Sequence, residues 1–189
     1  MTTFSRLALA EVIEITPPRY GDARGSFSEV FKRPLFEANG VAGDWLQENQ
    51  SHSANAGTIR GLHFQAPPAA QAKLVRVLRG VVFDVVVDIR LGSPTYGQWV
   101  GCELSSEKGN QLFIPAGFAH AFQTLVDDVD VAYRVDALYA PQCEGAIRWD
   151  DPDIGIAWRP IAGDPILSAK DAVAPYLSTF QSPFRYEGQ

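Results

Sequence analysis

The sequence predicts an all-β fold, either a sandwich or a closed barrel, and three observations carry that reading. Short runs rich in Val, Ile, Phe and Thr recur along the chain; Gly, Pro, Asn and Asp clusters separate them; helix signals are sparse. With 189 residues, 46% hydrophobic and 20% charged, the composition is that of an ordinary globular protein. The length suits one domain over residues 1–189 with a sizeable core.

Taken in order, strands are expected at Glu11–Ile15, Ser26–Phe31, Leu46–Ser53, Thr58–Phe64 and Leu74–Arg79, then at Val81–Arg90, Trp99–Leu104, Gln111–Ile114, Ala121–Leu125 and Val129–Val135. Turn signals punctuate them at Gly21-Asp22, Gly57, Leu91 to Pro94, Lys108 to Asn110 and Asp127-Asp128. One short helix is expected over Pro34–Asn39, with Pro in its first turn. Another is expected after Ser168, a residue suited to capping it. The barrel core is placed over about residues 45–140. The segment beyond it is richer in Pro and Asp but keeps Trp149, Trp158, Tyr176 and Phe180, and is read as a tail packed on the barrel.

A net charge of −6 argues against a dedicated nucleic-acid binder, which carries a basic face; a basic pocket for a small phosphorylated ligand stays open. The two cysteines, Cys102 and Cys143, make neither a disulfide framework nor a zinc spacing. The first residues lack a basic stretch followed by an apolar one. Val81–Val87 is too short to span a bilayer and is broken by Asp84. A cytoplasmic protein with no membrane partner is expected.

Histidine is scarce: His52, His63 and His120. Gly109 to His120 reads G-x5-P-x-G-x2-H and resembles the second motif of the cupin superfamily, whose fold is a small jelly-roll barrel. In it, Pro115 and Gly117 make a sharp turn that aims His120 into the barrel mouth. The first cupin motif is half present. Gly57-x5-His63 fits, but Gln65 stands where a second His belongs, and Ala69 and Ala70 occupy the Glu window. A first-row metal needs three or four converging ligands, so no metal and no cofactor is expected. A metal-dependent dioxygenase is disfavoured.

An interior His without metal can take a proton from a carbon acidified by a neighbouring carbonyl. It then needs a carboxylate to orient it, a donor for the enolate oxygen, and an acid on the opposite face. Asp84 and Asp88, four apart on one face of a strand, are unexpected for plain core. Lys73, Tyr133 and Asp171 are further parts of the right type.

Longer stretches carry a more specific resemblance. Arg60-Gly61-Leu62-His63-Phe64-Gln65, Lys73-Leu74-Val75-Arg76-Val77, Gly80 to Arg90, Ser93 to Trp99, Phe113 to Phe122, Arg148 to Pro152 and Leu167 to Asp171 resemble, in order, the dTDP-4-dehydrorhamnose 3,5-epimerase family. So does Asp22 to Glu29. The resemblance implies His63 as proton acceptor with Asp171 as its carboxylate partner, Tyr133 as proton donor on the other face, and Lys73 near the C4 oxygen. It further implies substrate contacts from Arg24, Phe27, Glu29, Gln47, Asn49, Arg60, His120, Tyr139, Glu144 and Lys170, and a homodimer with an exchanged N-terminal strand. The implied substrate is a dTDP-sugar. The C4 ketone acidifies both C3 and C5, so one base and one acid can invert two centres, and arginines suit a diphosphate.

Two departures from the family pattern stand out. Gln50-Ser51-His52 replaces a His-Ser-basic run, and Tyr139 is single where a Tyr pair is common. Competing readings are a single-site epimerase or ketoisomerase of a related dTDP-4-keto-6-deoxy sugar, and a sugar-binding cupin without catalysis.

Overall fold

The computed structural model describes residues 1–188. Thirteen strands are seen among them: β1 (Thr3–Arg6), β2 (Ile13–Thr16), β3 (Tyr20–Asp22), β4 (Gly25–Phe27), β5 (Gln47–Ser53), β6 (Ile59–Gln65), β7 (Lys73–Arg79), β8 (Val81–Asp88), β9 (Trp99–Ser105), β10 (Gln111–Ile114), β11 (Phe118–Thr124), β12 (Val129–Val135) and β13 (Glu144–Ala146). The single α-helix among these residues is α1 (Arg33–Glu37). Two sheets hold the frame, ordered β1-β2-β10-β7-β12-β5 and β13-β6-β11-β8-β9. They pack face to face without closing into one continuous sheet, the jelly-roll form of the cupin fold. β3 and β4 form a hairpin apart from both.

Strand parity builds the interior. Val75 and Val77 of β7, Val82 and Val86 of β8, Phe118 and Phe122 of β11, and Val129 and Val131 of β12 meet in one buried cluster. Each lies two or four residues from its partner, because alternate side chains share a face. Burial of each such chain contributes about 1.5–3 kcal/mol relative to exposure. The other parity of the five-stranded sheet is buried as well. Leu62, Phe64, Phe83, Val85 and Val87 pack against Ile147, Ile154, Trp158, Leu177, Phe180 and Phe184 from the C-terminal segment. Both faces of β8 are therefore dry, which explains its nearly unbroken apolar sequence.

α1 and its approach cover the outer face of the other sheet, where Phe36 packs with Phe31, Trp45, Leu74 and Phe113. That cluster corrects one expectation. Ser26–Phe31 is strand only over Gly25–Phe27, since Phe31 turns in to meet the Phe36 ring at 4.8 Å. Three short strands, β1, β3 and β13, carry no sequence signal strong enough to foresee them. β8 stops at Asp88 rather than Arg90 because the Asp88 carboxylate accepts the Arg90 backbone N–H at 2.9 Å and turns the chain. β11 starts at Phe118, ahead of the expected Ala121, immediately after Gly117 at φ 91°, a conformation that favours glycine. The helix expected after Ser168 is a single 3-10 turn over Asp171–Val173. No described helix is long and apolar enough to cross a membrane.

Candidate active site

The inward parity that builds the core also delivers the polar side chains, at one end of the sandwich. Asp84 lies between Val82 and Val86, His120 between Phe118 and Phe122, Lys73 precedes Val75, and Tyr133 follows Val131. His63 of β6 is directly opposite His120 of β11 in the ladder. These residues open onto a cavity of about 460 Å³, which His63, Lys73, His120, Tyr133, Arg60 and Asp171 help to line. The walls divide by sheet. His63 and His120 belong to the five-stranded sheet; Lys73 and Tyr133 belong to the six-stranded one.

Asp171 arrives from the C-terminal segment. The Ile59 N–H donates to Ile166 O at 3.0 Å, and the Ile166 N–H donates to Gly57 O at 3.0 Å. This stitches the segment beside the start of β6. The Asp171 N–H then donates to Ser168 Oγ at 3.1 Å, a local bond that aims the carboxylate inward. His63 Nε2 and Asp171 Oδ1 are 2.6 Å apart. With Nε2–H donating to the carboxylate, Nδ1 is left as the ring's lone-pair nitrogen. Burial raises the Asp171 carboxyl, but the His63 hydrogen bond and charge, with the Ser168 bond, outweigh it and hold it below the ordinary range.

The second pair is drier. His120 is 7% exposed and Asp84 fully buried, with Nε2 at 2.9 Å from both carboxylate oxygens. Burial pushes the His120 imidazole down, against the opposing pull of Asp84. Lys73 reaches the same cavity, its Nζ 3.4 Å from the His63 carbonyl. Burial lowers its ammonium to about 8, with Asp84 and Glu144 partly opposing. Burial likewise raises the Tyr133 phenol, Arg60 opposing and Glu144 adding to the rise.

Asp84 is the residue whose role sequence reasoning left unassigned, although its place in an apolar strand was the available signal. Asp88 proves separate from the site: Arg90, Ser93 and Thr95 side chains all donate to it, closing the turn after β8. Gly61 has φ 129°, and a Cβ there would stand 2.5 Å from the His120 carbonyl oxygen. The close approach of β6 to β11 that pairs the two histidines therefore depends on glycine.

Along the rim, Tyr139 Oη donates to Glu144 Oε2 at 3.2 Å, and Lys170 Nζ lies 2.6 Å from Glu144 Oε1. Gln47 Nε2 donates to Asn49 Oδ1 at 2.8 Å, and Arg60 donates to Ser53 Oγ at 3.1 Å. Arg24, Phe27 and Glu29 are not brought to this cavity by their own chain. Arg24 and Phe27 sit on or at the tip of the β3–β4 hairpin, where Arg24 pairs with Asp22 at 2.5 Å and Phe27 is 69% exposed; Glu29 follows, exposed. Among the described residues no three His, Cys, Asp or Glu side chains converge as a metal site would require.

A jelly roll that gathers imidazole, carboxylate, ammonium and phenol side chains from facing sheets around one cavity is a cupin fold equipped with groups suited to proton transfer. A family model described as dTDP-4-dehydrorhamnose 3,5-epimerase matches residues 6–179, and the chain belongs to that family. The dTDP-4-dehydrorhamnose 3,5-epimerase of Sinorhizobium fredii is 50% identical over 97% of this chain and 93% of its own length. The structure of dTDP-6-deoxy-D-glucose-3,5-epimerase from Legionella pneumophila, in complex with dTDP-4-keto-L-rhamnose, is 42% identical, covers 100% of both chains and superposes with a TM-score of 0.94. That of the Bacillus anthracis dTDP-4-dehydrorhamnose 3,5-epimerase, with TDP and pyrophosphate bound, is 42% identical over 94% of this chain and all of its own, with a TM-score of 0.89.

Proposed function

We propose that this chain epimerises dTDP-4-dehydro-6-deoxy-D-glucose at C3 and C5, on the route to dTDP-L-rhamnose. One observation carries the proposal: an imidazole on one sheet, paired with a carboxylate from the C-terminal segment, faces a phenol on the other sheet across a cavity of sugar size. The C4 ketone of the substrate makes the hydrogens at C3 and C5 acidic. His63, held by Asp171, takes each proton through its free nitrogen, and the imidazolium so formed is stabilised by the ionised carboxylate. Charge moves onto the C4 oxygen, where Lys73 supplies a compact donor from the cavity wall. Tyr133 returns a proton from the facing wall, and delivery from that side inverts the centre. Arg60 serves the diphosphate, while Tyr139, Glu144 and Lys170 serve the nucleotide end. Turnover of this sugar nucleotide, followed by proton NMR, checks the proposal: the ring couplings of the L-lyxo product are expected, and unchanged substrate would refute it.

The partner in this reading is a second copy of the chain. Exposed Tyr20 and Phe27 on a hairpin that joins neither sheet suit insertion against a neighbour, which would deliver Arg24 and Glu29 to the neighbour's cavity. Mixing inactive Arg24→Ala and His63→Ala chains is then expected to restore activity, because each mixed dimer holds one intact site. No recovery after subunit exchange would contradict it. The cytoplasm, where nucleotide sugars are made and where the two unbridged cysteines would stay reduced, is the compartment proposed.

A further inference from the structure

Gln65 stands where a metal-binding cupin would place its second histidine, and its amide is fully engaged in another task. It is 4% exposed. Its Nε2 donates to Ala69 O at 2.5 Å and to Leu138 O at 3.0 Å, and its Oε1 accepts the Ala140 N–H at 2.8 Å. Two more glutamines complete the pattern. Gln71 Nε2 donates to Ala137 O at 2.7 Å, and Gln47 Oε1 accepts the Tyr139 N–H at 3.0 Å. Four consecutive residues, 137–140, thus each give one backbone group to a glutamine side chain.

Nothing in the core requires this. Leu138 and Tyr139 are 62% and 55% exposed, so the loop gains little from burial and would otherwise sample many conformations. The bonds hold it in one, with the Tyr139 ring presented outward and its hydroxyl on Glu144. Gln65 lies two residues beyond His63 on β6 and opposite Glu144 of β13. A single strand therefore carries both the residue that faces the sugar and the residue that ties down the aromatic rim.

We propose that Gln65 is a positioning residue for the planar base of the nucleotide: it fixes the Tyr139 loop to the strand of His63, so that the two ends of the substrate meet groups at a set spacing. Ordering this loop before binding removes an entropic cost from association. The inference rests on the reading of Tyr139 as the base-end contact.

The test is a double-mutant cycle between Gln65→Leu and Tyr139→Ala with dTDP-4-dehydro-6-deoxyglucose, together with amide hydrogen exchange on the free protein. Gln65→Leu is expected to raise KM about tenfold with kcat within about twofold, and to add nothing to the KM of Tyr139→Ala, since residues acting through one contact are non-additive. The Tyr139 and Ala140 amides are expected to exchange faster. A fall in kcat as large as the fall in kcat/KM, an effect that multiplies with Tyr139→Ala, or unchanged exchange at both amides would overturn the proposal. Should Gln65→Leu fail to fold, Gln65→Glu keeps the acceptor for Ala140 and loses both donors, and the same cycle and exchange are read on it. If the wild-type protein does not turn over the sugar nucleotide, the functional reading fails by itself, and the exchange arm still reports whether Gln65 holds the loop.

Discussion

Two histidine–carboxylate pairs face one cavity, and they are built differently. His120–Asp84 joins adjacent strands deep in the five-stranded sheet, with side chains 9% and 0% exposed. His63–Asp171 joins a strand to the C-terminal segment, and the His63 side chain is 31% exposed. On the proposed function, the same chemical pair serves two needs. A group that exchanges protons with substrate and solvent must be reachable, and its orienting carboxylate can come from a late segment laid across the sheet. A pair sealed between strands cannot relax if broken, because the survivor is left buried and unpaired.

The contrast is sharpest in turnover. His63→Ala is expected to cut kcat by about 10³–10⁴-fold with the melting temperature nearly unchanged, the scale of a lost general base; near wild-type kcat by stopped assay would end that assignment. Truncating the two carboxylates then separates the pairs. Asp171→Ala is expected to lower kcat by about 10²-fold or more with the smaller loss of stability, since the His63 it leaves is part-exposed. Asp84→Ala, which strands a buried His120, is expected to lose about 1–3 kcal/mol in urea unfolding. Equal unfolding midpoints for the two variants would show that the two pairs contribute alike to stability.

Lys73 gives a smaller effect with a definite sign. Its folded value near 8 lies below the ordinary 10.5, so between those values the unfolded chain binds more protons and stability rises with pH. Below pH 8 the folded state carries the whole penalty of a half-buried ammonium. Lys73→Met is therefore expected to raise the melting temperature by a few degrees at pH 7, and by less at pH 10, while kcat falls. A melting temperature lowered at both values would contradict the burial account.

Much of this was legible in the sequence. Period-two alternation and turn residues placed the central strands, and Gln111–Ile114 and Val129–Val135 match to the residue. His63, His120, Lys73, Tyr133 and Asp171 meet in one cavity, although no local pattern could bring Asp171 to a residue 108 positions away. That meeting depends on the bonds linking Ile166 to β6. Arg24, Phe27 and Glu29 resisted local reading for a related reason, since their hairpin pairs with neither sheet of its own chain. Gln65 was visible only as a missing metal ligand, because the two groups through which it holds the Tyr139 loop lie 73 and 75 residues downstream.

If acceptor and donor act from facing sheets, Tyr133→Phe in deuterium oxide separates their two steps. His63 is expected still to labilise C3 and C5, so that deuterium enters the recovered sugar nucleotide while inversion slows by about 10²-fold or more. Inversion at the wild-type rate, or exchange and inversion lost together, would contradict it.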